Sequence, residues 1–434
     1  MTTWASLRDD RWIKVDAPPL GRLPVFDGIR GLLLPLVVFY HARLVSFFSG
    51  GPIVIDFFFV LSGFLICSLL IDEQNRAGSI GLRNFYTRRV LRLLPAMYAM
   101  LAVFSLFSIL ALALKLDTNE SLTYWWVDVL GSGLYVYNFV AAAFPDTVTG
   151  AIGHTWSLTV EEQFYFIYPL ILVAVLKKRS ARSDRRLVIG SLIFVAVFIA
   201  VRFKFQYIVE FDGSNAHYID IDDPTWQGFL YRFASTRPDM IVYGCLCALV
   251  ARQIPRPIPA AFRKGLAVLA GIGWIVFWSV MFLGNTDVPG FTLWGGPAYQ
   301  IGLIFLGIMS LDLYFRQESW YARGMTWAPL RWLGLRTYGI YLWHVLPLWF
   351  LLPVISQSYG MKRLVIGAIA SGLGILCGLA SYQFLERRFL HLKDRFSSNG
   401  AAPKQKLKAA TADGTTIDLT TPTPAEPAPS GDER

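Results

Sequence analysis

Charge is what this sequence has least of. Only 16% of its 434 residues are Asp, Glu, Lys or Arg, against about 25% in an average soluble domain. Cysteine is as sparse. Cys67, Cys245, Cys247 and Cys377 all fall inside apolar stretches, with neither metal spacing nor a disulfide framework. Cys245 and Cys247 are two apart, so a helix turns them about 200° from one another; all four read as small hydrophobes. The first 24 residues lack the early apolar run of a cleaved signal peptide and carry Asp9, Asp10 and Asp16 instead. No internal repeat is discernible. These absences argue against a soluble domain, a disulfide-stapled scaffold and a metal protein.

What fills the space is long apolar blocks such as Gly31–Tyr40, Ile53–Ile71, Ala96–Leu114 and Leu187–Val201. A helix needs about 20 mostly apolar residues to cross a bilayer. The pattern predicts an all-α, polytopic membrane protein. About ten transmembrane helices are expected, near 29–48, 53–71, 94–114, 157–176, 187–203, 229–250, 265–283, 296–315, 335–355 and 362–384.

The net charge of +10 is distributed as topology, which argues against a nucleic-acid groove. Cytoplasmic loops carry excess Lys and Arg. Arg8, Arg11, Lys14 and Arg22 precede the first block, Arg76 to Arg92 follow the second, and Lys177 to Arg186 follow the fourth. The alternate loops are acidic, with Asp117, Glu120, Asp128 and Asp146 in one and Glu210, Asp212, Asp220, Asp222 and Asp223 in another. Both termini are therefore expected in the cytoplasm. The apolar segment 125–144 would invert this scheme as a span and is expected to be a re-entrant or interfacial helix. Such backbone is tolerated at depth only where it is buried or lines a cavity. The expected domains are a cytoplasmic segment 1–24, a transmembrane domain 25–392 and a disordered cytoplasmic tail 393–434, rich in Ala, Thr, Pro, Lys and Asp.

Ionisable residues inside spans are functional candidates. Arg30 and His41 are eleven apart, roughly three helical turns plus 20°, so both share one face about 16 Å apart. That spacing suits a coenzyme A phosphate at Arg30 and a thioester at His41; a snorkelling Arg and a hydrogen-bonded core His suit it too. Asp56 opens the second block, where it is placed to orient a neighbouring base. Ser62 and Gly63 are small enough for a ligand or another backbone to approach. Arg88, Arg89 and Arg92 precede Pro95, and the pair Arg88 and Arg92 can clamp a phosphate. His154, Ser157, Glu161 and Tyr165 open the fourth block, fitting either a sugar site or a helix cap with interfacial aromatics. Arg237 and Asp239 form either a structural ion pair or acceptor contacts. His344 lies within the ninth block, as a core His or a substrate contact.

Together these segments resemble the acyltransferase-3 family of membrane proteins, which modify bacterial surface glycans, glycolipids and some macrolides. The likeness runs over about residues 20–392. Phe26-Asp27-Gly28-Ile29-Arg30 followed by His41 matches the family's Arg-x10-His signature, whose Arg and His are taken as essential. DFFFVLSGFLI at Asp56–Ile66 matches the second signature. The basic run before Pro95, Trp156 to Tyr165 with Glu161, Thr236-Arg237-Pro238-Asp239 with Gly244, and Leu333 to His344 follow in the family's order. One departure is Arg388, which stands where the family often has the proline of Glu-x-Pro, two after Glu386.

The resemblance implies an integral O-acyltransferase of the bacterial inner membrane. Acyl-CoA, acetyl by default, would be the donor, and a sugar or glycolipid the acceptor, with membrane lipids as neighbours and no metal. His41 would act as base or as acyl carrier, with Arg30, Asp56 and Glu161 in the catalytic group. Arg30, Arg88, Arg89, Arg92, Ser62 and Gly63 would hold the donor, and His154, Ser157, Tyr165, Arg237, Asp239 and His344 the acceptor. The alternative is a lipid or acyl transporter, which repeats would favour. A polyprenyl-phosphate glycosyltransferase would need a carboxylate in the first outer loop, where residues 49–52 have none.

Overall fold

The computed structural model describes residues 23–42, 50–115, 122–177, 181–202, 229–230, 233, 236–254, 258–283, 297–393, 408–410 and 416–418. The basic residues before 23, the acidic loop with Glu210 to Asp223, the loop 284–295 and most of the tail lie outside these residues, as do the expectations placed on them.

Each expected block contains a helix. The order is α1 (Pro24–His41), α2 (Pro52–Ala77), α3 (Leu82–Ala113), α4 (Trp125–Gly133), α5 (Tyr137–Ala143), α6 (Thr155–Leu176), α7 (Ala181–Arg202), α8 (Asp239–Gln253), α9 (Ala260–Leu283), α10 (Pro297–Phe315), α11 (Trp320–Met325), α12 (Ala328–Gly334), α13 (Thr337–Trp343), α14 (Val345–Ser356), α15 (Gly360–Ser381) and, after a π-helical turn at Tyr382–Glu386, α16 (Arg387–Lys393). Lys408–Ala410 and Thr416–Asp418 form a short antiparallel pair. Among the described residues, six helices are long and apolar enough to cross a membrane.

The ninth block is two helices. Pro347 has no N–H to donate to the Trp343 carbonyl and its ring crowds that group, and the break falls at His344. Without a proline at 388, the chain runs on through the π turn into α16, which packs against α3.

Helix α2 is the centre of the bundle: 83% of its apolar window is buried, against 33% for α3 and 28% for the stretch containing α15. The outer helices present Leu106, Ile109 and Leu110, Val268 and Ile275, or Ile369 and Leu376 outward. In water such faces would aggregate; in a bilayer they meet their solvent.

A close crossing joins α2 to α8. A Cβ on Gly63 would collide with the Ile241 carbonyl, and one on Gly244 with that of Val60. Small residues let membrane helices meet backbone to backbone. Gly244→Leu is expected to destabilise the protein by about 1–3 kcal/mol through overpacking, read as a lower unfolding temperature in detergent. Gly31 and Gly334 do the same for α1 against α12.

Segment 125–144 is a bent pair, α4 and α5. Its turn meets α3 half-way along, where the Tyr98 hydroxyl donates to the Gly133 carbonyl at 3.0 Å. It meets α6 near its middle, where Gln163 donates to the Tyr135 carbonyl at 2.8 Å. Tyr135 takes φ +55° to make the bend, a conformation costly for a bulky residue.

Candidate active site

A cavity of about 690 Å³ lies between α1, α2, α3, α6, the 134–136 bend and α13, within the usual size of a small-molecule site. Of the residues singled out in the sequence it brings together Arg30, Ser62, Arg88, Arg89, Arg92, Ser157, Glu161 and Tyr165.

One wall is cationic. Arg88, Arg89 and Arg92 line it from α3 and Arg30 from α1. The Arg89 guanidinium lies 3.2 Å from the centre of the Tyr165 ring, a cation–π contact. Arg88 is 4.0 Å from Glu73. Next to Glu73, Asp72 accepts from Arg252 at 2.5 Å. On α6, the Glu161 carboxylate accepts from the Ser62 and Tyr165 hydroxyls, and Tyr165 also reaches Ser62 at 2.8 Å. Both hydroxyls meet the same oxygen, Oε1.

Beyond Ser157 and Tyr341 stands a group of three histidines. The hydroxyls of Ser157 and Tyr341 are 2.6 Å apart, and Tyr341 donates to the His154 carbonyl at 3.0 Å. His344 Nε2 is 3.2 Å from His41 Nδ1, and His41 Nδ1 is 3.0 Å from the Val37 carbonyl. His344 Nδ1 lies 2.6 Å from the Tyr341 carbonyl, and His154 Nε2 lies 3.1 Å from that of Leu342. The His344 ring packs against both others, with centroids 5.1 Å from His41 and 5.4 Å from His154. Among the described residues no group of His, Cys, Asp and Glu is arranged to hold a metal.

Several candidates are placed otherwise than expected. Arg30 lines the cavity but His41 does not; Pro35 lies between them in α1, and the eleven-residue arithmetic assumed a straight helix. Asp56 does not reach His41: its Oδ2 accepts from Arg237 and from Tyr299 at 2.5 Å each. Arg237 and Asp239 do not pair with one another. Asp239 instead takes a two-pronged bond from Arg202, at 2.7 and 2.8 Å, and all four charged side chains are fully buried. Neither Arg237 nor Asp239 lines the cavity. Gly63 packs against α8 rather than facing a ligand. Ser157 donates back to the His154 carbonyl, meets the Tyr341 hydroxyl and makes no helix cap. His154 lies just before α6 and is packed among Tyr341 and His344.

Residues outside the candidate set also line the cavity, among them Tyr135, Glu162, Tyr338 and Tyr341. Tyr338 and Tyr341 are one helical turn apart before His344, a spacing visible in the sequence. A second cavity of about 440 Å³, between α3, the bend and α6, shares Arg89, Leu93, Tyr135, Glu162 and Tyr165 with the first.

The acyltransferase domain model of the acyltransferase-3 family matches residues 23–383. The chain belongs to this family. Similar proteins include the putative peptidoglycan O-acetyltransferase YrhL of Bacillus subtilis, 29% identical over 84% of this chain and 54% of that protein. The peptidoglycan O-acetyltransferase OatA of Listeria monocytogenes is 30% identical over 84% of this chain and 55% of its own length. The O-acetyltransferase OatA of Staphylococcus aureus is 28% identical over 89% and 60%. The chain therefore spans a little over half the length of these relatives. No solved structure matches it. The acyltransferase-3 domain so defined contains the cavity, the histidine group and the buried ion pairs together.

Proposed function

We propose that the protein is a multi-pass O-acyltransferase of the bacterial inner membrane. It takes an acyl group, acetyl by default, from cytoplasmic acyl-CoA and passes it to a sugar hydroxyl on the opposite side. The relatives' names favour peptidoglycan over a glycolipid as acceptor. The observation that carries the reading is a cavity with an arginine wall at one end and hydroxyls touching a histidine group at the other. Arginine suits phosphate, and the run of cations fits the CoA phosphates.

In the transfer, His41 accepts the proton of the attacking hydroxyl as the oxygen adds to the thioester carbonyl. The C–O bond forms, the C–S bond breaks, and the CoA thiolate recovers the proton from the imidazolium. In a two-step route the imidazole itself first takes the acyl group. Glu161 holds Ser62 and Tyr165 in place at the cavity wall.

The test is CoA release from acetyl-CoA by purified protein. Arg92→Gln is expected to raise KM for acetyl-CoA about tenfold with kcat little changed, the mark of lost uniform binding. The wild-type KM is expected to climb with salt. If acyl-CoA neither binds nor turns over, the enzyme reading falls and the transporter takes its place.

A further inference from the structure

Resting on that reading, we infer that His344 is a positioning residue: together with the Val37 carbonyl it holds the His41 ring in place in the tautomer whose Nε2 is bare, and Nε2 is the nitrogen that meets the acceptor proton or the acyl group.

The argument is one of donors and acceptors. A carbonyl oxygen only accepts, and a neutral imidazole carries one N–H. His344 Nδ1 lies 2.6 Å from the Tyr341 carbonyl, so Nδ1 holds the proton and His344 Nε2 holds a lone pair. That lone pair lies 3.2 Å from His41 Nδ1. The other partner of His41 Nδ1 is the Val37 carbonyl at 3.0 Å. Both partners accept, so Nδ1 of His41 must donate, and its Nε2 is left without a proton. When Nε2 takes a proton, the imidazolium keeps an acceptor for Nδ1–H already in place. The triads of hydrolases use a carboxylate for this; here a neutral ring serves.

The packing holds His344 in that orientation. Its ring is fully buried, with Gly374 of α15 tight against its backbone and Cβ. His154 stands edge-on to it, at 79°, and donates through Nε2 to Leu342 rather than competing for His41. Among the described residues, the other aromatic ring against His41 is Tyr40 of its own helix. The break at His344 separates α13 from α14 at this residue.

Two variants separate positioning from bulk. Glutamine can present an oxygen near the place of Nε2, and leucine cannot. His344→Leu is expected to lower kcat for CoA release by about 10²–10³-fold with KM for acetyl-CoA unchanged within about threefold. His344→Gln is expected to stay within about tenfold of wild type. A second measurement needs no turnover. The chain has five histidines, so nitrogen-15 NMR of histidine-labelled protein in lipid can report each tautomer, with the His41 signals assigned by their loss in His41→Ala. Wild type is expected to show His41 protonated at Nδ1 and bare at Nε2, and the leucine variant, with the Val37 carbonyl left to accept from Nδ1, to show the Nδ1–H signal displaced by loss of its second acceptor. A glutamine variant no better than leucine, at equal unfolding temperature, overturns the inference; so does a wild-type His41 protonated at Nε2. If wild type releases no CoA, the acyltransferase reading fails by itself, and the NMR result decides the tautomer separately.

Discussion

Purified His41→Ala protein is expected to bind acetyl-CoA as wild type does and to release CoA about 10²–10⁴-fold more slowly, the range a positioned acid–base group contributes. The phosphates would be held by arginines remote from the substitution, so KM should move little while kcat collapses. Among the described residues, the neighbours are poorly placed to replace the lost imidazole. Glu161 already accepts from two hydroxyls, and Ser157 and Tyr341 are weak bases at neutral pH, engaged with one another at 2.6 Å. His344 has its lone pair towards the vacated space, but it is wedged on α15 and fully buried. A partial recovery in added imidazole would show that the chemistry resides in the ring and not in the fold. A variant that keeps wild-type CoA release would remove His41 from the reaction.

The second large effect is on stability. Arg237→Met is expected to cost about 3–5 kcal/mol, because it leaves Asp56 charged and buried without its cation. Asp56, Arg237, Arg202 and Asp239 are all fully buried, and Tyr299 bonds to the same carboxylate oxygen as Arg237. The double variant Asp56→Leu with Arg237→Met should recover much of that loss, since replacing both partners of a buried pair with apolar groups is often close to neutral. Unfolding temperature in detergent reads both. The kcat of the fraction that stays folded should remain near wild type; a specific loss of kcat without loss of stability would return Asp56 to the catalytic group.

Much of the architecture was legible because the bilayer imposes one length and one polarity on every crossing segment. Helices lie within the expected blocks, and among the described residues six are long and apolar enough to cross a membrane; the ninth block, expected as one span, is broken ahead of Pro347. Arg30 and Glu161 stood out because charge inside an apolar block is rare, and Arg88, Arg89 and Arg92 as a basic run just before one. The partners of the buried ion pairs did not. Asp56 and Arg237 are 181 residues apart, and a local pairing of Arg237 with Asp239 was the natural reading of two residues so close in the chain. That pairing fails because Arg237 stands before α8 with φ +47° while Asp239 opens the helix, and each meets a different neighbour. The histidine group was equally hidden: His41, His154 and His344 come from three distant segments, and no periodicity announces that they meet.

The bend between α4 and α5 also bears on how far an acyl group must travel. The hydrocarbon slab is about 30 Å thick, and the bend stops half-way along α3. Eleven residues of α1, with Pro35 among them, part Arg30 from His41, a rise of at most about 16 Å, no more than the other half. On the proposed reading the two halves meet, and the cargo is handed over at mid-depth along a fixed tether. Such a device needs no rocking of one part of the protein against another, and its turnover should be insensitive to cross-links that freeze the bundle.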